Sequence, residues 1–409
     1  MPIQTPFHER TSTLNKALDW KDWAGYFAAN TYNVVSDFEY YAFRHSAGLV
    51  DITPLFKYKI TGKDAGMFLS RIIVKDISKL KVNQATYCCW CDDRGMVIDD
   101  GTVMRFTEDE YFVTAADPSY SWFSRFIKKL DVHIEDITDT YCGLAIQGPT
   151  SRDILKNMCD ADVDNLKFFW TTDANAEGFK FKISRTGYTG DLGYELWIKN
   201  EDALKLFDAV WSAGQNYNIR MAGIAALDIA RIEAGLIMNG VDYHSSLHAL
   251  IPEQMSTPYE LGLGWTVNLD RASFIGQKAL KLEKKNGSKW ATVGLDINWP
   301  DLEELYKKHG LPPHTDAGAW RHSVPIYNNK HKSKQVGYAT CGTWSPALKK
   351  NIALATVEIE YSKLETEVYF EVMVEHHREL VRAVVGKPQF FNPKRKRSIL
   401  KIQHNEQKI

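Results

Sequence analysis

An aromatic side chain and a carboxylate lie on a glycine-rich turn near the middle of the chain. Three glycines fall within the seven residues 187–193, and glycine adopts backbone angles that other residues avoid. Alternating residues at 179–184 and 194–198 predict a strand on each side, with Tyr188 and Glu195 near the bend. An aromatic wall beside a carboxylate suits a flat, polar heterocycle whose ring N–H groups the carboxylate accepts. An ordinary glycine-rich hairpin has the same composition and remains the alternative.

Two adjacent acids, Asp99 and Asp100, lie in the middle of a strand pattern that covers residues 96–106. Neighbouring side chains of a strand point to opposite faces, so one of these carboxylates should point inward. An inward carboxylate is costly unless it has a partner or a chemical role. The pair is therefore a second place where chemistry could occur.

An acid and a base follow at helical spacing, Asp228 and Arg231, within a predicted helix over 224–233. Side chains three residues apart on a helix can pair. The pair is interpreted either as a surface ion pair worth about a few tenths of a kcal/mol, or as an arginine directed at the anionic tail of a ligand.

Two common kinds of site are excluded by spacing. The chain has no Gly-x-x-x-x-Gly-Lys-[Ser/Thr] phosphate loop. Cys88, Cys89 and Cys91 cluster on a predicted strand, but the spacing is not Cys-x-x-Cys and their side chains alternate between faces. We predict buried thiols in a reducing compartment, and no metal, flavin or nucleophilic cysteine in the chemistry.

The composition is typical of a soluble globular protein, with 44% hydrophobic and 25% charged residues among 409. The formal net charge of −1 gives no overall field that would attract nucleic acid or a membrane surface. The first residues lack the features of a signal peptide, and no apolar stretch approaches the ~20 residues of a membrane span. We therefore expect a cytoplasmic protein with no nucleic-acid or membrane partner.

The elements that must position these residues interleave without strict alternation, which favours an α+β fold over a doubly wound sheet. Residues 1–131 and 132–280 are predicted as two α+β units with approximate boundaries. The charged, turn-rich stretch 281–289 is predicted as a boundary. Short strands separated by turns predict a small β-barrel or sandwich over 290–395.

Three further stretches carry predictions of their own. Residues 11–30 and 118–130 are expected to form helices. Aromatic residues between 20 and 41 could line a cage for a quaternary cation, although packing of a helical N-terminus is preferred. The basic run at 392–397 is expected to be a solvated end.

Several segments match one known family in the same order along the chain. They are 47–53, 98–100, 146–149, 185–190, 231–236, 257–265, 274–276 and 345–351. Together they resemble the glycine cleavage T-protein (aminomethyltransferase) superfamily of folate-dependent one-carbon transferases, and the resemblance runs nearly from end to end.

The resemblance implies three domains around a central channel that holds tetrahydrofolate. It implies that Asp100 is the catalytic acid, near the N5/N10 edge of the pterin, and that Arg231 faces the anionic side of the folate. The remaining residues that it places around the pterin are Tyr87, Tyr188, Glu195 and Trp265.

Departures from the family pattern bear on the one-carbon donor. The family's Asp-Val-Ser-His-Met is here 51–55, Asp-Ile-Thr-Pro-Leu, and a usual Ala-Arg-Asp is here 226–228, Ala-Leu-Asp. The missing histidine and arginine favour a demethylase that moves a methyl group from a small methylated amine, betaine or sulfonium to N5. The alternatives are a true T-protein, which would act on an aminomethyl group of a lipoyl carrier protein, and a folate-binding repair or regulatory protein without transfer.

Overall fold

The computed structural model describes residues 1–316 and 318–399, in which three β-sheet units and their helices can be followed. The first unit is a five-stranded antiparallel sheet with the order β5–β6–β7–β4–β8. Its strands are β4 (Phe56–Thr61), β5 (Gln84–Cys91), β6 (Val97–Arg105), β7 (Glu110–Ala115) and β8 (His133–Asp136). Apolar residues of α3 (Ala65–Ile72) and α4 (Tyr120–Ser124) pack with this sheet into one core around Trp90.

The second unit is a six-stranded sheet with the order β10–β11–β12–β9–β3–β13. Its strands are β3 (Ala47–Asp51), β9 (Tyr141–Gln147), β10 (Thr171–Ala176), β11 (Phe179–Ser184), β12 (Gly193–Lys199) and β13 (Ile219–Met221). Strand β13 runs parallel to β3, and the other pairings are antiparallel. The sheet therefore combines β3, from the N-terminal part of the chain, with strands that follow residue 132.

Helices cover both faces of this second sheet. Residues of α5 (Ser151–Met158) and α6 (Ala203–Gly214) share a core with one face, which includes Leu144. Residues of α2 (Asp37–His45) and α7 (Ile224–Ala234) pack against the other face. Strand side chains alternate between the two cores, as the pleat requires.

The third unit is a closed barrel with the order β14–β17–β16–β15–β18–β19, closed by pairing of β14 with β19. Its strands are β14 (Trp290–Ile297), β15 (Val324–Tyr327), β16 (Gln335–Ser345), β17 (Lys350–Glu358), β18 (Glu367–Val374) and β19 (His377–Gly386). Leu302 and Leu305 of α9 (Trp299–Lys308) belong to the barrel core. The predicted α+β class and C-terminal barrel are confirmed. The charged stretch at 281–289 is largely the end of another helix, α8 (Gln277–Asn286).

The helix predicted over 11–30 is wrong. Helix α1 (His8–Leu14) is short, and β1 (Asp19–Trp23) and β2 (Tyr26–Thr31) then form a hairpin. Ala24 and Gly25 both have positive φ, 50° and 84°, as a two-residue hairpin turn of type I′ requires. The helix predicted over 118–130 is likewise limited to α4, which ends at Ser124, and the later Lys129 has a non-helical φ of 64°.

The basic run at 392–397 is not a simple solvated end. Arg395 donates to both carboxylate oxygens of Asp191 at 2.6 and 2.7 Å. The carbonyl of Ser398 accepts from Arg185 at 2.8 Å, and the Arg44 guanidinium lies 4.1 Å from the Phe391 ring centroid. This segment, residues 391–398, is called the C-terminal strap below. It packs behind the glycine-rich turn.

The six cysteines are unpaired, and Cys88, Cys89 and Cys91 are buried in β5, as expected. Among the described residues, none of the helices is both long and apolar enough to cross a bilayer.

Candidate functional site

The two adjacent acids of β6 differ in exposure. Asp99 is fully buried and accepts hydrogen bonds from the Ala116 and Asp117 amides at 3.0 and 2.9 Å. Asn239 Nδ2 adds a third donor at 3.1 Å. These donors explain how an inward carboxyl group is tolerated in a strand. Asp100 is partly exposed, so it is the acid that a ligand can reach.

Two tyrosine hydroxyls hold Asp100. Tyr87 of β5 donates to Oδ2 at 2.8 Å, and Tyr243 donates to Oδ1 in a close contact. Burial raises the pKa of the Asp100 carboxyl, and the two hydroxyl donors oppose that rise. The result is a carboxyl of fixed orientation whose proton affinity is higher than that of a free aspartate.

Aromatic rings extend from this acid toward solvent. The Tyr87 and Trp265 rings stack with centroids 6.2 Å apart and an interplanar angle of 25°. Trp265 is 61% exposed, and Lys75 Nζ lies 4.9 Å from its centroid. The sequence-predicted residues Tyr87, Asp100 and Trp265 therefore form one contiguous surface.

Tyr188 lies beside the residues that hold this acid. Its hydroxyl donates to the carbonyl of Ile237 at 2.5 Å, and Ile237 packs in one apolar cluster with Tyr243 and Tyr87. Burial raises the pKa of Tyr188, and the charge of Asp100 acts in the same direction while that of Arg231 opposes it. Tyr188 of the second unit therefore contacts the cluster that surrounds Asp100 of the first.

Glu195 lies on β12, beyond the glycine-rich turn that carries Tyr188. Its carboxylate accepts from Thr186 Oγ1 at 2.7 Å and from Ser184 Oγ at 3.4 Å. Burial raises the pKa of Glu195 to about 7, against the effect of these hydroxyls. No cationic side chain of the described residues pairs with it, so this carboxylate remains able to accept N–H groups from a ligand.

Gln147 explains why the turn is rich in glycine. The side chain of Gln147 accepts from Thr189 Oγ1 at 2.9 Å and donates to the carbonyls of Thr186 and Tyr194 at 3.3 and 3.4 Å. A Cβ on Gly187 or Gly193 would lie 2.0 or 2.2 Å from Gln147 Oε1. Glycine is therefore required by close approach of this side chain, which fixes the turn from within the sheet.

The interpretation of Asp228 and Arg231 as a surface ion pair needs correction. The pair is not on the surface, because Arg231 is fully buried. Two nitrogens of the guanidinium are already paired, with Asp228 at 2.7 Å and closely with Asp242. Its Nη2 has no hydrogen-bond partner among residues 1–316 and 318–399. A direct folate contact by Arg231 therefore stays a prediction that rests on this nitrogen alone.

Sequence reasoning missed Tyr243, Asn239 and Gln147. The first two reach the acids from a loop after α7, and the Tyr243–Asp100 contact spans 143 positions. A local sequence pattern cannot predict a contact between residues so far apart in the chain. Gln147 lies within a segment that matched the family pattern, but its insertion between glycines depends on the pairing of β9 with β12.

The fold and site can now be compared with known proteins. Two family profiles match the chain: the GCVT N-terminal domain over residues 8–271 and the glycine cleavage T-protein C-terminal barrel domain over 309–392. An aminomethyltransferase of Caldanaerobacter subterraneus subsp. tengcongensis is 32% identical over 394 residues, which are 95% of this chain and 96% of that protein. One from Clostridium botulinum is 34% identical over 364 residues, 88% and 90% of the two chains.

The crystal structure of glycine cleavage system aminomethyltransferase T from Bartonella henselae has the same fold. Its TM-score is 0.80 at 22% identity, and the match covers 96% of this chain and 99% of that one. Fold and family together define a tetrahydrofolate-dependent transferase. The chain belongs to the glycine cleavage T-protein family, so the resemblance seen in its sequence is confirmed.

Proposed function

We propose that this protein transfers an aminomethyl carbon from a lipoyl-bearing carrier protein to tetrahydrofolate and releases ammonia. The relatives named aminomethyltransferase support this donor, because they match about nine-tenths or more of both chains. The preference for a methylated donor, drawn from two short departures in sequence, is not confirmed by these relatives. The observation that carries the proposal is Asp100, partly exposed and held by two hydroxyls beside aromatic walls.

The residues around Glu195 suit the pterin of tetrahydrofolate. A carboxylate with only hydroxyl partners can accept the ring N–H and amino group of a pterin. Tyr188 would form one wall of that site, and Tyr87 with Trp265 another. When bound, tetrahydrofolate supplies a nucleophilic nitrogen, N5. The described side chains would hold and orient the ring.

Asp100 would orient the reacting groups and hold or release a proton at its carboxylate. Its two hydroxyl partners fix the carboxylate, so little reorganisation is needed when charge develops nearby. Positioning of both reactants supplies a further contribution, at most about 7–11 kcal/mol in well-oriented systems. Arg231 would act on this site by holding Asp242 and the loop that carries Tyr243.

A small methylated amine, betaine or sulfonium remains the second candidate donor. The observation in its favour is the loss of a charged side chain. Leu227 occupies the place of a family arginine and packs in a hydrophobic core with Trp197. In that case the product would be methyl-tetrahydrofolate, and no carrier protein would be needed.

Mass spectrometry of the folate separates these candidates. The protein is incubated with tetrahydrofolate and either an aminomethylated lipoyl carrier protein or a panel of methylated amines, betaines and sulfoniums. Methylene-tetrahydrofolate with ammonia in the first arm supports the proposal, and methyl-tetrahydrofolate in the second supports the other donor. Folate that binds but returns unchanged in both arms would indicate a non-catalytic binding protein. The control is Asp93→Asn, which replaces an exposed acid of a turn and should behave as the wild type.

A further inference from the structure

We propose that Tyr243 is a positioning residue that links Asp100 to Asp99, so that the two carboxyls hold one proton between them. The inference rests on the proposed function for its place in the reaction. The linkage itself is a property of the protein without donor or folate.

The geometry of Tyr243 carries this proposal. Its side chain is only 2% exposed, and its hydroxyl donates to Asp100 Oδ1 while lying 3.5 Å from Asp99 Oδ1. A phenol can accept one hydrogen bond while it donates another. With Asp99 protonated and Asp100 ionised, the hydroxyl accepts from the first and donates to the second. All three groups are then satisfied.

The loop after α7 is built to hold this arrangement. The Gly240 amide donates to the Tyr243 carbonyl at 2.8 Å and closes the loop. From the same loop, Asn239 Nδ2 donates to Asp99 Oδ1 at 3.1 Å and to Asp117 Oδ2 at 2.9 Å. One short segment therefore supplies hydrogen-bond donors to both members of the acid pair.

The surroundings of the pair are acidic or neutral. The neutral neighbours are Tyr87 of β5, which faces Asp100, and Tyr188 of the glycine-rich turn. The negative charges of Asp117 and Asp242 further raise the pKa of Asp100. No lysine, arginine or histidine among the described residues forms an ion pair with Asp99 or Asp100. Full ionisation of two adjacent, poorly solvated carboxyls is therefore unfavourable, and they titrate as a unit. Burial and the charge of Asp100 both raise the pKa of Asp99, as expected if Asp99 carries the proton of the pair.

A shared proton gives Asp100 a supply for the reaction. In the resting pair that proton is on Asp99. The phenol oxygen of Tyr243 takes the Asp99 proton while the Tyr243 hydroxyl proton passes to the Asp100 carboxylate, so Tyr243 ends unchanged. The net change is one proton moved from Asp99 to Asp100, with no electron transferred, and Asp100 can then give that proton to the reacting centre. A proton that Asp100 takes up from the reacting centre returns to Asp99 by the reverse path.

The test compares Tyr243→Phe with a matched control, Tyr259→Phe. Tyr259 packs in the same cluster as Tyr243, and its hydroxyl has no hydrogen-bond partner in the described part of the chain. The infrared band of protonated carboxyl groups is followed against pH without folate or donor. Asp99→Asn and Asp100→Asn assign the band to the pair.

In the wild type we expect one protonated carboxyl of the pair to persist to near-neutral pH. Loss of the Tyr243 donor makes Asp100 harder to ionise, so the titration midpoint should rise by about one pH unit, a tenfold change. Tyr259→Phe should leave it unchanged. An unshifted midpoint in a folded Tyr243→Phe protein would overturn the proposal.

A double variant shows whether Tyr243 links the two acids or affects the pKa of Asp100 alone. Coupling predicts that the midpoint shifts of Tyr243→Phe and Asp99→Asn are not additive in Asp99→Asn/Tyr243→Phe. Additive shifts would show that Tyr243 does not connect the two acids. Because none of these titrations needs a one-carbon donor, their outcome is independent of whether the proposed transfer occurs.

In an active enzyme, the acidic limb of the profile of kcat against pH should move with the infrared midpoint.

Discussion

At the scale of single residues, Asp100 and Glu195 are two partly exposed carboxyls with different partners. Asp100 is fixed by two phenols, whereas Glu195 has only aliphatic hydroxyls around it. The first arrangement fixes a carboxyl close to where a reacting atom could lie. The second leaves an acceptor for the N–H groups of a ring. Residue types and local spacing singled out Glu195 and the Asp99–Asp100 pair as candidates, and the family resemblance selected Asp100 within that pair. Tyr243 could not be predicted because only the folded loop brings it to Asp100.

Replacement of Asp100 tests its role in turnover. In Asp100→Asn the shape of the side chain is kept and its proton chemistry is lost. We expect kcat to fall by about 10²- to 10⁴-fold, with folate affinity near that of the wild type. Steady-state kinetics and equilibrium folate binding measure the two quantities, with Asp93→Asn as control. Unchanged turnover would remove Asp100 from the chemistry.

Glu195 makes folate affinity depend on pH. Its pKa is about 7, so the carboxyl is protonated below that pH and loses its capacity as an ionised acceptor of ring N–H groups. Tetrahydrofolate should therefore bind more tightly as pH rises through about 7. In Glu195→Gln we expect about tenfold weaker binding above that range, the effect of one charged hydrogen bond, and a flat pH profile. Calorimetry across the range measures both. A wild-type profile without this rise contradicts the assignment.

At the scale of elements, the glycine-rich turn is held from two sides. Gln147 fills it from within the sheet, and the C-terminal strap binds Asp191 from behind. The strand–turn–strand pattern was predictable because it is local. The strap was not, since Arg395 and Asp191 are 204 positions apart. The hairpin of β1 and β2 was missed for a different reason: its aromatic residues fit a helix period until the turn at Ala24 and Gly25 is recognised.

The strap should support folate binding without touching the ligand. In Arg395→Ala, the buried Asp191 carboxylate loses the two hydrogen bonds from Arg395 and keeps the one from the Leu192 amide. The cost should be about 1 kcal/mol because Arg395 is partly exposed. We expect several-fold weaker folate binding and a slightly lower Tm. The control is Arg397→Ala, which removes an exposed arginine of the same segment that donates to Asn392 and lies over the Phe168 ring, with no contact to Asp191 among the described residues. Equal behaviour of the two variants would show that the strap does not support the turn.

At the scale of the whole molecule, the barrel meets the other units at the Arg231 cluster. Arg231 lies between Asp228 and Asp242, Thr340 of the barrel donates to Asp242, and Arg321 donates to Asp228 at 2.7 Å. The presence of a barrel was predictable from its turn spacing. Its docking onto α7 was not, since this depends on buried polar contacts between distant segments.

Removal of Arg231 should destabilise the whole protein. Arg231→Leu leaves two buried carboxylates without their shared partner, and loss of one member of a buried ion pair costs about 3–5 kcal/mol. Chemical denaturation should show this loss as a lower midpoint. Lys205→Leu breaks the exposed pair with Asp202 and should leave the midpoint unchanged. Native stability in Arg231→Leu would mean that the cluster does not hold the units together.

The most direct test of the central claim is a single-turnover experiment that follows the carbon. Enzyme in excess is mixed with tetrahydrofolate and a lipoyl carrier protein whose aminomethyl carbon is labelled with ¹³C, and the folate is analysed by NMR. The account predicts that the label enters the folate as methylene-tetrahydrofolate, with one ammonia released per carbon, and that Asp100→Asn nearly abolishes this transfer. Label that stays on the carrier while tetrahydrofolate is bound, or transfer that persists unchanged in Asp100→Asn, would contradict it.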